Sequence, residues 1–426
     1  MYRLCVCGKV RMMVRRVIIA LVAAALIGTL TLIHPFTVRE KRFSGVKVAV
    51  LYDRVTDGIY YLNRDVDDVA RMLEDLHTDF VFLGWQRWYP CPESPEEAPD
   101  FFTTAEIKEC VRRGYTYEQL ENAVLSIKSR VPVIFCGGIA AQRLNARERD
   151  PITGEIFDRS ETWSMALDPA KWGITNVSKE ELQERLAREL EWVGAEEEYD
   201  WRTVEAYVPD ITNPEFQELF LDLAKKQIDC GVDAIWIDGL FKQAFLLMNL
   251  TEDAYHPAVQ DAWNAICKIV DGIHHYGRSK GKYIYVGSWF AYPAFPYSPP
   301  DLDFVTITPS PEEVANRKLD IVKWNLICKL KDRPMFVFID FGLRTSPLYV
   351  FSQNLSADVQ RELLREFDTF FEERGMTFVY PLHSLVAKAR YVERLAFGKY
   401  PIYDALAPEF QTYDVIKELA LKKKEE

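Results

Sequence analysis

The sequence predicts a (β/α)8 barrel, in which eight parallel strands form a closed sheet surrounded by helices. Short runs rich in Val, Ile, Phe and Tyr alternate along the chain with longer segments of helical periodicity. The runs are apolar on both faces, as parallel strands covered by helices must be. The chain has 426 residues, which is enough for a barrel of roughly 250 residues with insertions.

Eight runs form the predicted strands. They are VKVAVLY from Val46, DFVFLG from Asp79, VPVIFC from Val131, DAIWID from Asp233, KYIYVGS from Lys282, DFVTIT from Asp303, PMFVFID from Pro334 and MTFVYP from Met376. We expect the barrel to occupy residues 46–424. Residues 138–212, after the third strand, form an insertion whose charged segment SKEELQERLARELEWVGAEEE predicts a helix, and we expect this subdomain to cover the site.

The helical segments between the strands carry start and stop signals. Asn213 and Ser356 are predicted N-caps, because their side-chain oxygens can accept a hydrogen bond from a backbone N–H of the first turn. Gly231, Gly281 and Gly375 follow helix ends, where glycine readily adopts positive φ. Strand and helix are therefore expected to alternate eight times, with SPEEVANRKLDIVKWNLICKLK as a single helical segment.

The N-terminus predicts a membrane anchor. Five basic residues precede the uncharged run VIIALVAAALIGTLTLI, Val17–Ile33, which is near the lower length limit for crossing a bilayer. We expect a cytoplasmic tail at residues 1–16, a single span at 17–33, a tether at 34–45 and a barrel outside the cytoplasm. No small-x-small cleavage site follows the run, so an uncleaved anchor in the cell membrane is favoured over a removed signal peptide.

Composition excludes several classes of function. The net charge of −12 argues against a nucleic-acid partner, because phosphate binding needs clustered Lys and Arg. The eight cysteines contain no CxxC pair and no zinc spacing, so no metal site is expected, and Cys91 with Cys110 is the nearest candidate disulfide. The sequence contains no Walker loop and no dinucleotide fingerprint, so no cofactor is expected. It also contains no GxSxG elbow, which argues against a serine nucleophile.

Two very apolar strands end in carboxylates, at Asp238 in IWIDG and Asp340 in FVFIDFG. Chemistry in such barrels belongs at the C-terminal strand ends, and strands four and seven lie on roughly opposite sides of the mouth. Two carboxylates facing each other across a sugar are what glycoside hydrolysis needs. Each Asp could instead accept backbone N–H bonds in a turn or pair with an arginine such as Arg344.

Gly137 and Gly138 are expected at the end of strand three. Other strand ends supply candidate substrate-binding residues. The candidates are Asp53, Trp85, Arg87, Trp88, Ser288, Trp289 and His383. Aromatic faces stack on sugar rings, because the C–H face of a sugar is apolar. Aromatic side chains also commonly pack at a barrel rim, so a single one does not indicate a sugar site. Taken as a group, they favour a carbohydrate-sized cleft.

The segment Tyr207–Phe241 resembles the α-glycosidases of family 31 and their clan. In that pattern, Asp-x-Thr-Asn-Pro leads through a helix to Gly-x-Asp-Gly-x-Trp-x-Asp. The corresponding residues here are Asp210, Thr212, Asn213, Pro214, Gly231, Asp233, Ala234, Trp236 and Asp238. The resemblance implies a TIM-barrel glycoside hydrolase with Asp238 as the nucleophile of a retaining enzyme, and it places Asp210 among the substrate-binding residues.

The chain departs from this family at two points. The family continues with Met-Asn-Glu after the nucleophile, whereas Gly239, Leu240 and Phe241 follow here. The family's acid/base Asp follows a later strand, but strand six ends in TITPS without a carboxylate. We therefore assign Asp340 as the acid from its position in the barrel.

The sequence as a whole predicts a membrane-anchored, extracytoplasmic glycoside hydrolase that acts on a carbohydrate. Asp238 is the predicted nucleophile or base and Asp340 the predicted acid, and both the retaining and the inverting outcome stay open. The alternative is a barrel of the same ancestry that binds carbohydrate without cleaving it or serves as a structural surface protein.

Overall fold

The structure is a computed structural model that describes residue 43 and residues 45–91, 103–194 and 196–425. The predicted tail and membrane span, residues 1–33, lie outside the described residues, and so does most of the predicted tether at 34–45. Among the residues that the structure does describe, no helix combines the length and apolar composition needed to cross a bilayer. The membrane anchor therefore stays a prediction.

Eight parallel strands close into a barrel, which confirms the predicted fold class. They are β1 (Ala49–Tyr52), β2 (Phe80–Trp85), β3 (Ile134–Ala140), β4 (Ala234–Asp238), β5 (Tyr285–Trp289), β6 (Phe304–Ile307), β7 (Met335–Val337) and β8 (Thr377–Leu385). Each strand pairs with the next along the chain, and β8 pairs with β1 to close the sheet. A further strand, β9 (Ile402–Asp404), runs antiparallel to the end of β8.

Helices follow most of the strands. They are α1 (Gly58–Tyr61), α2 (Val66–Asp75), α3 (Thr104–Arg112), α4 (Tyr117–Arg130), α5 (Arg159–Met165), α6 (Lys179–Glu189), α7 (Pro214–Asp229), α8 (Lys242–Thr251), α9 (Pro257–Ser279), α10 (Pro311–Asn316), α11 (Ile321–Leu330), α12 (Pro347–Tyr349), α13 (Ala357–Glu372) and α14 (Tyr413–Glu425). Asn213 caps α7 and Ser356 caps α13 through side-chain oxygens, as predicted. The three predicted C-terminal glycines, Gly231, Gly281 and Gly375, all have positive φ.

Strand β3 is longer than the sequence predicts. It continues past Cys136 to Ala140, which lies opposite Asp238 in β4. Gly137 and Gly138 therefore lie inside the barrel wall, and their prediction as a strand end at the mouth is wrong. They allow close approach of α7: a Cβ at Gly137 would lie 2.0 Å from Oε1 of Gln227, whose Nε2 donates to the Gly138 carbonyl.

Two connections also differ from the predicted alternation. The link between β5 and β6 contains a 3-10 turn at Tyr292–Ala294 instead of an α-helix, since four prolines fall within residues 290–300 and proline disrupts a helix interior. The segment before β7 forms two helices instead of one. Arg317 adopts left-handed backbone at the end of α10, and Asp320 then caps α11 by accepting from the N–H groups of Val322 and Lys323.

The barrel interior is filled by stacked layers of aromatic side chains. Phe80, Phe304 and Phe336 form the lower layer, with ring centroids 4.9 to 5.6 Å apart. The layer above contains Phe82, Trp236 and Phe338, with centroids 5.0 to 6.1 Å apart. The barrel is a packed core below its mouth, as side-chain layers from successive strands require.

The insertion between β3 and α7 contains its own elements. Residues 144–145 pair with 206–207, residues 148–149 pair with 156–157, and α6 forms the predicted charged helix. Lys242, after β4, pairs with Glu189 of α6, and Lys388, after β8, donates to the carbonyl of Glu191. The insertion thus contacts loops on two sides of the barrel mouth.

Candidate functional site

Asp238 and Asp340 extend the inward-facing rows of their strands to the barrel mouth. Side chains alternate between the two faces of a strand, so Asp238 lies one inward position above Trp236. Asp340 likewise lies one inward position above Phe338, because the chain beyond β7 stays hydrogen-bonded to the segment of β6. The N–H of Phe338 donates to the Ile307 carbonyl, and the N–H of Asp340 donates to Oγ1 of Thr308. The rings of Trp236 and Phe338 are 6.1 Å apart, so the two carboxyl groups share one mouth.

Two neutral side-chain N–H groups bind the carboxylate of Asp238, in addition to the backbone N–H of Gly239. Nε1 of Trp289 donates to Oδ1 at 2.8 Å, and Nε2 of Gln142 donates to Oδ2 at 2.9 Å. Burial raises the pKa of Asp238, while the hydrogen bonds from Trp289 and Gln142 oppose that rise. The side-chain donors come from β5 and from the loop after β3, the two neighbours of β4, so they fix the plane of the carboxylate as well as favouring its ionised form.

Asp340 has a different environment. Burial and the negative charge of Asp238 raise the pKa of Asp340 to about 7. In the described part of the chain, no side chain donates to its carboxyl group, and the backbone N–H of Phe341 is the donor that favours ionisation. Arg344, the arginine considered as a partner for it, instead lies over the ring of Tyr391.

The two carboxyl groups therefore differ in which protonation state their surroundings favour. Asp238 accepts from two side-chain donors, and Asp340 lies in apolar surroundings near a like charge. Two interacting acids in unlike environments ionise one after the other. The arrangement places the negative charge on Asp238 and the shared proton on Asp340.

Asp53 lies at the end of β1 and is buried. Its Oδ1 accepts from Nε2 of Gln86 at 2.8 Å, and its own N–H donates to the carbonyl of His383 in β8. Burial raises the pKa of Asp53, and the charge of Arg54 opposes that rise. Asp53 thus connects the ends of β1, β2 and β8 at the mouth.

His383 belongs to a buried ionic cluster. Its Nδ1 lies 3.1 Å from Oδ2 of Asp404, and its Nε2 lies 3.2 Å from Oδ1 of Asp57. Burial disfavours the imidazolium, but Asp57 and Asp404 outweigh it and raise the pKa of His383 to about 9. Arg64 binds both carboxylate oxygens of Asp404, at 2.8 and 3.0 Å, and Arg54 pairs with Asp57 at 3.1 Å.

Backbone strain accompanies this cluster. Arg54 and Leu83 have φ values of 63° and 54°, a left-handed conformation that is uncommon outside glycine. The N–H of Arg54 donates to the carbonyl of Leu83, so the two strained residues hold β1 and β2 together at the mouth. Such strain is typically found where the surrounding structure imposes it, often at functional sites.

Four other predicted substrate-binding residues are engaged within the wall or at its rim. Trp85 is fully buried and donates from Nε1 to the Gly114 carbonyl. Ser288 is fully buried and donates to the Ile237 carbonyl. Arg87 donates to the Cys91 carbonyl, and Trp88 packs against the cluster of Cys91, Cys110 and Tyr115. None of these contacts directs the side chain toward Asp238 or Asp340.

Asp210 organises the turn that precedes α7. Its Oδ1 accepts from the N–H and the hydroxyl of Thr212 and from Nε2 of Gln243. Its Oδ2 accepts from the Lys171 ammonium at 2.7 Å. Both oxygens are thus occupied by protein groups, and Asp210 lies before α7 instead of at a strand end.

Among the predicted site residues, the structure brings together Asp238, Asp340 and Trp289, and it brings Asp53 together with His383 where β1 and β8 end. Sequence reasoning missed Gln142, because β3 was ended four residues early and Gln142 then fell inside the insertion. It also missed Asp57 and Asp404, the partners of His383. Asp404 belongs to β9, which no strand pattern identified. Asp57 is the second aspartate of DRVTDG, residues 53–58, so the sequence did carry a signal for it.

The predicted pairing of Cys91 with Cys110 is confirmed, since the structure contains this disulfide. His, Cys, Asp and Glu side chains of the described ranges do not gather in any group of three that could hold a metal ion.

No protein-family model matches the chain, and no curated protein matches it. Solved structures with a similar arrangement include the cyclomaltodextrin glucanotransferase CldA, at 14% identity and a TM-score of 0.48 over 89% of this chain and 80% of that one. The type III pullulan hydrolase from Thermococcus kodakarensis has 13% identity and a TM-score of 0.47, over 89% and 63% of the two chains. The glycoside hydrolase domain of PelA from Pseudomonas aeruginosa has 12% identity and a TM-score of 0.35, over 75% and 92%.

These neighbours are carbohydrate-active proteins by their descriptions, but scores this low identify neither a shared activity nor a shared substrate. The barrel is instead established by its own strand order. The resemblance of Tyr207–Phe241 to family 31 stays a local one, because no family model supports membership.

Proposed function

We propose that this protein is a glycoside hydrolase in which Asp340 is the general acid and Asp238 is the nucleophile or general base. One observation carries the proposal. Two carboxyl groups share the barrel mouth, and their surroundings favour the ionised form of Asp238 and the protonated form of Asp340. Glycosidic cleavage needs one carboxylic acid and one carboxylate at the same bond.

The proposed reaction starts with a sugar bound between the two side chains. Asp340 transfers its proton to the glycosidic oxygen as the bond from the anomeric carbon to that oxygen breaks. In the same step Asp238 either attacks the anomeric carbon or removes a proton from a water that attacks this carbon. If Asp238 attacks, water hydrolyses the resulting glycosyl ester, and the Asp340 carboxylate takes up a proton from that water and returns to its acid form. The carboxylate of Asp238 accepts from Trp289, Gln142 and the backbone N–H of Gly239, which leaves one of its four lone pairs for this step.

Trp289 and Asp53 are the proposed sugar-binding residues of this mouth. Trp289 is partly exposed, and its ring contacts Trp236 and Phe338 at 5.5 and 5.1 Å, so its orientation is set by packing. An aromatic face held in this way suits the apolar face of a sugar ring. Asp53 and Gln86 provide polar groups on the β1 and β2 side for its hydroxyls.

We further propose that the barrel lies outside the cytoplasm on a single-span anchor at Val17–Ile33. The basic residues before that run favour this orientation. The disulfide between Cys91 and Cys110 supports it independently, because disulfides persist mainly in oxidising compartments.

The test is whether the protein hydrolyses soluble α- and β-linked polysaccharides or chromogenic glycosides. Hydrolysis is measured as the release of reducing ends or of the chromophore. On any substrate that the wild type hydrolyses, Asp238→Asn should lower kcat by on the order of a thousandfold or more. Asp271→Asn, on the exposed face of α9, is the matched control and should keep the wild-type rate. NMR of the first product anomer then separates the retaining from the inverting mechanism.

The alternative, a barrel that binds carbohydrate without cleaving it, predicts a different result in the same experiment. Binding of a polysaccharide by the wild type without reducing-end release, and equal binding by Asp238→Asn, would support it. Loss of release in Asp238→Asn with the fold retained would exclude it.

A further inference from the structure

The outer face of α11 is apolar. The exposed residues of this helix are Ile321, Val322, Asn325, Leu326, Lys329 and Leu330. Ile321, Val322, Leu326 and Leu330 have relative exposures of 58%, 80%, 56% and 48%. The opposite face is already used, since Trp324 and Ile327 are buried against the barrel. The helix therefore presents apolar side chains on two faces, of which one has no partner in the described chain.

Two other long helices on the barrel exterior, α9 and α13, are different. The exposed residues of α13 are Asp358, Glu362, Arg365, Glu366, Thr369 and Glu372. Those of α9 beyond its first proline are Gln260, Asp261, Asn264, Lys268, Asp271, His275, Arg278 and Ser279. All are polar, as expected for a helix whose outer face meets water. Among the other described helices, α4 exposes a single large apolar residue, Leu125, whereas α11 exposes four. A cluster of this kind marks an interaction surface.

Lysines that form no ion pair within the described residues lie at both ends of this face. Residues 317–333 contain six basic and two acidic residues in a chain whose net charge is −12. Lys323, Arg317 and Arg333 pair with acids nearby, whereas Lys318 and Lys329 form no ion pair within the described residues and are exposed. A helix with one exposed apolar stripe and flanking lysines has the composition of interfacial membrane helices.

We propose that the outer face of α11 docks on an anionic lipid surface. Val322, Leu326 and Leu330 follow one another at a spacing of four residues and would enter the boundary between headgroups and acyl chains. Lys318 and Lys329 would contact the anionic headgroups.

A symmetric contact with a second copy of the chain fits less well. Such a contact brings the same patch of each copy together, so each Lys329 would face positive charge. An anionic lipid surface offers acyl chains to the apolar residues and negative headgroups to the lysines.

This inference rests on the anchored topology proposed above, and not on the hydrolase activity. A tether of residues 34–45 spans at most about 40 Å when extended. A barrel held on such a tether stays close to the bilayer, so even a weak surface affinity becomes effective, as for any second contact within one molecule.

The experiment uses the full chain reconstituted in vesicles that contain a trace of phosphatidylcholine with a photoreactive acyl chain. One set is pure phosphatidylcholine, and the other contains about 30% phosphatidylserine to provide the negative surface. After illumination, mass spectrometry maps the lipid adducts along the chain. We expect adducts on residues 318–331 in the anionic vesicles and their loss in neutral vesicles or at high salt.

Variants test the residues involved. Leu326→Glu should lower the α11 adducts on the order of tenfold or more, because it places a charge where an apolar side chain would enter the bilayer. Thr369→Glu on α13 is the matched control and should leave them unchanged. Equal far-UV circular dichroism and equal Tm show that both variants fold.

Adducts on residues 17–33 report the anchor separately from the α11 contact. Adducts there without any on α11 would overturn the inference and leave the anchor standing, and adducts on neither segment would overturn both. Self-association of the wild type in detergent that Leu326→Glu abolishes, without α11 adducts, would instead assign the face to a second copy.

Discussion

The indole Nε1 of Trp289 donates a hydrogen bond of 2.8 Å to Oδ1 of Asp238. Within the described chain no comparable side-chain donor reaches Asp340, whose pKa is raised to about 7. This difference separates two aspartates that are otherwise alike, since each lies at the barrel mouth one inward position above an aromatic residue. It assigns the proton to Asp340 and the negative charge to Asp238.

Removal of the Trp289 donor should shift the ionisation of Asp238. Trp289→Phe keeps an aromatic ring against Phe338 but removes a hydrogen bond to a charged acceptor, worth about 1.5 to 3 kcal/mol. We expect the acid limb of the pH profile of kcat/KM to move to higher pH and kcat to fall roughly tenfold to a hundredfold. Trp263→Phe is the matched control, because its indole donates to the Ser298 carbonyl away from Asp238. An unmoved acid limb in Trp289→Phe would contradict the assignment.

The protonated form of Asp340 should set the basic limb of the pH profile. Because the raised pKa is about 7, the fraction of Asp340 able to donate a proton falls as the pH rises through that value. Asp340→Asn should abolish this limb. It should also slow glycosides with poor leaving groups far more than dinitrophenyl glycosides, whose departure needs no protonation. Equal loss on both kinds of substrate would argue against an acid role for Asp340.

The charged His383 should stabilise the fold over a defined pH range. The pKa of His383 is raised from its ordinary value of 6.5 to about 9. The stabilisation is therefore complete below about 6.5 and is lost as the pH rises through about 9. A shift of this size corresponds to roughly 3 kcal/mol. Urea unfolding of the wild type at pH 6 and pH 10 should show this loss.

His383→Gln keeps hydrogen-bonding capacity without a titrating charge, so its stability should change much less over the same range. The buried Asp57, Asp404, Arg54 and Arg64 remain in both proteins, so the comparison isolates the imidazole. A variant whose unfolding free energy changes with pH as steeply as that of the wild type would contradict the assignment.

Loss of the disulfide should destabilise the segment between β2 and α4. Cys91 and Cys110 are 19 residues apart, and closing a loop of that size stabilises a fold by about 3 kcal/mol. The double variant Cys91→Ser/Cys110→Ser should show a lower Tm than the oxidised wild type. Reduction of the wild type should reproduce that Tm, whereas reduction of the double variant should change nothing. Equal Tm values for oxidised and reduced wild type would show that the disulfide does not stabilise the fold.

The barrel was predictable because its signals are local. Parallel strands buried on both faces are continuous apolar runs, and caps such as Asn213 and glycines such as Gly375 mark helix ends within a few residues of sequence. The errors arose where distant contacts decide the structure. Gly137 and Gly138 read as a turn, but they are strand residues that accommodate Gln227 of α7, about 90 positions further along the chain.

The candidate site was predictable only in part for the same reason. Asp238 and Asp340 stood out because a carboxylate is unusual at the end of an apolar strand. What distinguishes them is the pair of donors on Asp238, and Gln142 lies 96 residues away from it in sequence. The partners of His383 lie in the loop after β1 and in β9, and only the closure of the barrel brings them together.

The most direct test of the proposed carboxyl pair is the hydrolysis rate of one glycan by the wild type, Asp238→Asn, Asp340→Asn and the double variant. If the two groups act on one bond, the double variant should be no slower than the slower single variant, because residues that work as a unit lose their effect together. Each single variant should lose on the order of a thousandfold for a glycan with a poor leaving group. Hydrolysis by the double variant at the wild-type rate would show that these carboxyl groups do not carry the reaction.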